Sequence, residues 1–280
     1  MRIVIEKYGH IRTESALKDA LKDSMFFVEY INDLATFTEF YFLTDDFDDK
    51  ICAYTLNQST IVGLMTRIIK YYKETILFFT NRKLELVCLM YRTIYESFVI
   101  MKYLIIHGEE SQRHFRLISY KNRYKDNEWL KSTGSKNCKI LAEKDETLCL
   151  RDKFSISDFK EEDRKDKRKR WKLDGKSFRE IQEEVDVKDA YKYVYGIPSD
   201  MIHGGWGEIG QFHINYFQNG LCRPKLEFYD GLEIKSMISL NGILIDGFTQ
   251  YCQWNEVVEC DVESLEVFKR VHELLISYFL

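Results

Sequence analysis

Proline is nearly missing from this chain: only Pro198 and Pro224 occur in 280 residues. Proline breaks helix interiors, so its absence from Met1 to Ile197 leaves long helices unobstructed. No C-x-x-C pair occurs either. The seven cysteines, Cys52, Cys88, Cys138, Cys149, Cys222, Cys252 and Cys260, form an odd, unpatterned set, which argues against a disulfide framework and for reduced thiols in the cytoplasm. The stretch Met1 to Lys7 is too short and too soon charged for a secretory signal. A basic balance is lacking too. The net charge of −4 gives no global field toward nucleic acid, so such binding requires a local patch.

Several chemical signatures are absent as well. The chain contains no Walker A pattern, no G-x-G-x-x-G and no G-x-S-x-G nucleophile elbow, so His203-Gly-Gly205 is not the oxyanion loop of an esterase. His203, Glu208 and His213 are spaced by five and five, which fits neither one helix face nor a zinc motif. Neither a metal nor a cofactor is expected. The longest apolar stretch, Leu86 to Ile106, matches a bilayer in length but carries Arg92, Glu96 and Lys102. It reads as a buried core helix, and no membrane partner is expected. There is no repeat and no low-complexity segment.

What is present is helical patterning and aromatic bulk. A hydrophobic fraction of 45% with 31% charge is globular in character. Eighteen Tyr and nineteen Phe point to large aromatic contacts in the core or at a subunit interface, and a homodimer is expected. Apolar residues near helical spacing predict one long helix over 14–43, capped at Thr13 or a neighbour. The acidic loop Thr44 to Asp49 lacks cation-ligand spacing and reads as the acidic start of a helix over 48–80. A most apolar, central helix follows over 83–107, then another over 109–131. The latter sets Arg113, Arg116, Tyr120, Arg123 and Tyr124 at spacings of three and four.

From 132 to 186 the composition turns charged and irregular, with short helical pieces. Residues 188–203 look helical again, interrupted at Gly196-Ile-Pro198. Alternation either side of Asn219-Gly220 then predicts a small β-hairpin near 211–228, with Pro224 confining its strand to an edge. Two helices, near 232–254 and 262–279, close the chain. The predicted fold is mainly α: one helical domain over 1–280, a multi-helix bundle of long antiparallel helices with a charged insertion at 132–186.

Three clusters are candidates for chemistry. Arg92 and Glu96 are the only charged side chains in the sixteen residues from Leu86 to Met101, four apart and on one helix face. Buried charges cost several kcal/mol unless paired, so stability alone is a weak reason to have them. Either a structural network or a site accounts for them. Ser199 and His203 share a face if Pro198 starts a turn, and histidine changes protonation near neutral pH. The alternative is a helix cap with a core histidine. Arg164 to Lys172 holds seven positive residues, Lys167, Arg168 and Arg170 among them, with Trp171 placed to stack on a base. The preceding Glu161-Glu-Asp163 also fits an ordinary solvated helix.

The Arg92-x-x-x-Glu96 helix, the stretch from Trp171 through Arg179 to 187, and Tyr191-x-x-x-Tyr195-x-x-x-Ser199-x-x-x-His203 together resemble the bacterial family of unknown function DUF5677. The resemblance covers roughly 50–255, with the closing helices from Ile234 onward also similar. It implies no activity, but it directs attention to Arg92, Glu96, Tyr195, Ser199 and His203. More distantly, an all-helical bundle with an Arg and a His is similar to the HEPN superfamily of bacterial conflict ribonucleases. Those use an arginine followed by a histidine after four to six residues, a spacing this chain lacks.

Two functions follow as expectations. One is a bacterial conflict or stress effector that cleaves RNA without metal. There His203 acts as acid or base, Arg92 stabilises phosphate charge, Glu96 orients Arg92 and Ser199 positions the phosphate or His203. Tyr195, Arg113, Arg116, Tyr120, Lys167, Arg168, Arg170 and Trp171 then contribute to binding. The other is a non-enzymatic helical module for a small ligand or protein partner, with Arg92, Glu96 and His203 in a buried network.

Overall fold

The computed structural model describes residues 2–43, 54–133, 135–150, 171–186, 206, 209–217, 221–228, 234–255 and 261–280. It is mainly helical, with one small antiparallel sheet. The helices are α1 (Arg2–Tyr8), α2 (Glu14–Ala20), α3 (Phe26–Leu43), α4 (Leu56–Thr80), α5 (Leu84–Ser132), α6 (Lys136–Leu150), α7 (Phe178–Val185), α8 (Ile234–Trp254) and α9 (Val262–Phe279). No helix among the described residues is long and apolar enough to cross a membrane.

Thr13 caps α2 as expected, its hydroxyl accepting from the Ala16 amide at 3.2 Å. The single helix predicted over 14–43 is nevertheless broken. Asp23 takes the Met25 amide on its own carboxylate at 2.9 Å, a local turn that competes with helix continuation and lets α3 restart at Phe26. The helix predicted from 48 starts at Leu56, where Thr55 and Gln58 form a reciprocal capping box. The acidic segment 44–49 lies outside the described residues.

The predicted boundary between 83–107 and 109–131 falls inside one continuous element. Gly108 takes φ 72° and ψ −159°, which only glycine adopts readily, and α5 kinks there. Near the kink the Gln112 side chain donates to the Leu104 carbonyl at 3.1 Å. A short link over 81–83 folds α5 back against α4, which is its most extensive neighbour.

The core runs through α1–α5, α7, α8 and α9. Its aromatic content is concentrated near one end, where Tyr8, Phe26, Tyr30, Phe37 and Phe268 pack ring against ring at 5.3–6.5 Å. Buried phenols keep partners: Tyr8 donates to Asp33 at 2.6 Å, Tyr30 to the Phe268 carbonyl at 2.9 Å and Tyr72 to Asn241 at 2.5 Å. The aromatic surplus is thus used inside the chain to a large extent.

The segment predicted as charged and irregular contains more order than expected. Its first described part is α6, and its last is a tight Leu173–Lys176 turn followed by α7. Asp174 and Gly175 both take positive φ, 50° and 79°, the pairing that a two-residue reversal needs. Ser177 and Glu180 then form a second capping box. The hairpin also occurs, but it is shorter than expected. Ile214–Tyr216 (β1) pairs with Cys222–Pro224 (β2), and Phe212 sits in a π-helical turn over Ile209–His213 instead of a strand. Pro224 lies at the end of its strand opposite Ile214. The closing helices have the predicted limits almost to the residue.

Candidate functional site

Residues 91–100 of α5 form a wall with two hollows. Ile94, Tyr95, Phe98 and Val99 are buried, while Arg92 and Glu96 sit at the margin. The Arg92 Nε donates to the Glu96 Oε1 at 3.0 Å, with the two side chains 12% and 32% exposed. The sequence-predicted pair therefore exists and is partly withdrawn from water. Glu96, Ile100, Trp171 and Phe178 line one hollow of about 330 Å³. Two predicted site residues, Glu96 and Trp171, thus come together although seventy-five positions separate them in the chain.

The segment bringing Trp171 and Phe178 here is moored by one carboxylate. Asp174 accepts from Ser111 at 2.5 Å and from Tyr103 at 3.0 Å, and His114 Nδ1 lies 2.5 Å from its other oxygen. Burial alone would raise its pKa. The hydrogen bonds from Ser111, His114 and Tyr103 outweigh that and hold it below the ordinary carboxylate value. A second tie joins Glu184 to Lys176 at 2.5 Å and to His107 at 2.7 Å, and these bonds, led by that from Lys176, lower the Glu184 pKa.

The other hollow, of about 530 Å³, lies between α5, α8, α9 and the end of α7. Tyr91, Tyr95 and Phe98 supply rings; Asp186, Ser239, Asp246 and His272 supply polar groups. Tyr95 donates to Asp186 Oδ2 at 2.7 Å. Burial first, then this bond, raises the Tyr95 pKa, and burial likewise raises that of Tyr91 against the lowering effect of Ser239. Both phenols therefore stay protonated at neutral pH and act as donors. His272 is 8% exposed, its Nδ1 has no hydrogen-bond partner, and burial pushes its pKa down to about 4. It is a neutral imidazole. On its other side Gly242 makes room for the ring: a Cβ there would stand 2.8 Å from Nε2.

The remaining predicted residues fall in different places. Arg116 is 8% exposed and committed to the start of α4, donating to the Leu56 carbonyl at 3.0 Å, to the Thr60 hydroxyl at 2.6 Å and to Asn57. Arg113, three residues earlier, is exposed, so the two arginines do not share one surface. Tyr120 belongs to α5, but its side chain is outside the described residues. So are Lys167, Arg168, Arg170, Tyr195, Ser199 and His203.

Sequence reasoning passed over Tyr91, Tyr95, Asp186, Ser239 and His272. Tyr91 and Tyr95 repeat the four-residue spacing of Arg92 and Glu96 one position earlier, which was a usable signal. A single serine, a single histidine and an aspartate closing a short helix give none.

These features define a helical protein with two adjoining hollows along one central helix. The profile of a family of unknown function, DUF5677, matches residues 58–220, more than half of the chain, and the chain belongs to that family. The match runs from α4 through β1 and stops short of α8 and α9, so the similarity expected for the closing helices is not part of it. No curated protein and no solved structure matches the chain.

Proposed function

We propose that this protein is a helical ligand-binding module whose site is the hollow between α5, α8, α9 and the end of α7. One observation carries the reading. Tyr91, Tyr95, Asp186, Ser239 and His272 converge on a space of about 530 Å³ and include a buried imidazole nitrogen without a partner. That volume lies within the several-hundred Å³ range of small-molecule sites, and a few polar groups among rings and aliphatics is their usual lining.

The test is a thermal-shift screen of small metabolites against the wild-type chain and Ser239→Phe, which fills the hollow. Compounds that raise the melting temperature of the wild type should lose that effect in the variant, with helicity by circular dichroism unchanged. Stabilisation that is equal in both proteins would place the ligand elsewhere.

A second reading, an RNA-cleaving bacterial effector in the cytoplasm, is favoured by the cleft that unites Glu96 with Trp171 and Phe178 while Glu96 holds Arg92. A base stacked on Trp171 and a phosphate near Arg92 suit that arrangement. Its proton-transfer group is His203, helped by Ser199 and Tyr195, and Lys167, Arg168 and Arg170 carry the backbone. Incubating purified chain with diverse RNAs in chelator, beside His203→Ala and Arg92→Ala, decides it. Cleavage lost in both variants supports the reading; intact RNA with the wild type removes it. For either reading we propose a single domain that self-associates. The exposed Tyr216, Leu221, Leu226 and Phe228 around the hairpin support a homodimer, and light scattering reads the mass directly.

A further inference from the structure

We infer that the hollow beside Asp186 takes an organic cation, an amine carried on an aromatic or aliphatic body. The inference rests on the ligand-binding reading and adds the chemical class of the ligand.

Two carboxylates line the space, and they differ in how they are used. Asp246 is neutralised within the protein, accepting from Lys102 at 3.0 Å and from Gln250 at 2.8 Å. Among the described residues, Asp186 accepts from one side chain, the Tyr95 hydroxyl, and forms no ion pair. A carboxylate has about four lone-pair sites, so one phenol leaves Asp186 both acceptor capacity and its full charge. Among the described residues no cationic side chain lines the hollow, and its imidazole is neutral at physiological pH.

The walls are also suited to a cation. Tyr91, Tyr95 and Phe98 present aromatic surface beside the acid, and ring faces attract ammonium groups. The protein uses this chemistry already beside the hollow: the Lys102 ammonium lies 4.8 Å from the centre of the Phe98 ring while pairing with Asp246. A bound amine would repeat that combination with Asp186. An anion would instead face the Asp186 carboxylate across low-dielectric walls, and a neutral ligand would leave that charge uncompensated.

The experiment compares three probes of one shape on the full chain by calorimetry and thermal shift: phenethylamine, 2-phenylethanol and phenylacetate. Phenethylamine should bind about tenfold or more tightly than either of the others. Asp186→Asn should abolish the preference and Asp186→Glu should restore part of it. If either variant fails to fold, the ranking of the three probes on the wild type decides alone. Equal or better binding of the alcohol or the acid overturns the cation while leaving the ligand site standing. No binding of any probe, with metabolite hits that remain sensitive to Ser239→Phe, overturns it in the same way. No probe binding and no such hits removes both.

Discussion

His272 links burial to acid sensitivity. Its ordinary pKa near 6.5 falls to about 4 in the folded chain because burial disfavours the imidazolium. The unfolded chain binds this proton first on acidification. The stability it gives is therefore complete above pH 6.5 and is lost as pH falls toward 4, by about 3 kcal/mol in all. Urea denaturation at pH 7.5 and pH 4.5 should show this slope, and His272→Leu should flatten it. Arg116 is a second case. Its guanidinium sits near the positive end of α4, an unfavourable place that its three hydrogen bonds offset. A lysine ammonium is one point and cannot span acceptors that Nη1 and Nη2 reach separately, so Arg116→Lys should lower unfolding free energy by about 2–4 kcal/mol, read by urea titration. The same substitution at exposed Arg113 should cost under about 0.5 kcal/mol.

Among elements, the kink in α5 gives the sharpest test. A Cβ at Gly108 would meet no atom within 4 Å, so only its backbone conformation opposes a side chain. Gly108→Ala should destabilise the chain by about 1–3 kcal/mol. Because Tyr103 lies before the kink and Ser111 and His114 after it, the variant should also raise hydrogen exchange over 173–186. Helix existence was legible in the sequence wherever apolar spacing was regular: α8 and α9 lie close to their predicted limits, α4 ends where expected though it starts eight residues late, and Gly108 marks the predicted break in α5. Positions decided by one side chain turning back on the backbone were not. The Asp23 turn that splits 14–43 and the Asp174-Gly175 reversal inside the charged stretch each rest on a single aspartate, and neither disturbs hydrophobic periodicity.

At the level of the whole molecule, the candidate site was half legible. Arg92 and Glu96 stood out because charge is rare in that helix, and Trp171 because it ends a basic run; their meeting beside Phe178 needed coordinates. The larger hollow was invisible, since its walls come from four helices spread over nearly 190 positions, and no periodicity reports such convergence. The two hollows also stand differently with respect to the family. Tyr91, Tyr95 and Asp186 fall within the matched span and Ser239 and His272 outside it. Substitutions on α8 and α9 that line the larger hollow should therefore change ligand preference without changing the Glu96–Trp171 cleft, as checked by repeating the thermal-shift screen on His272→Leu.

One carboxylate, that of Asp174, grips α5 on both sides of its bend and also anchors the turn leading into α7. The bend of the long helix and the segment carrying Asp186 are thereby tied through one side chain. Removing that one side chain should therefore loosen the bend and the hollow's rim together.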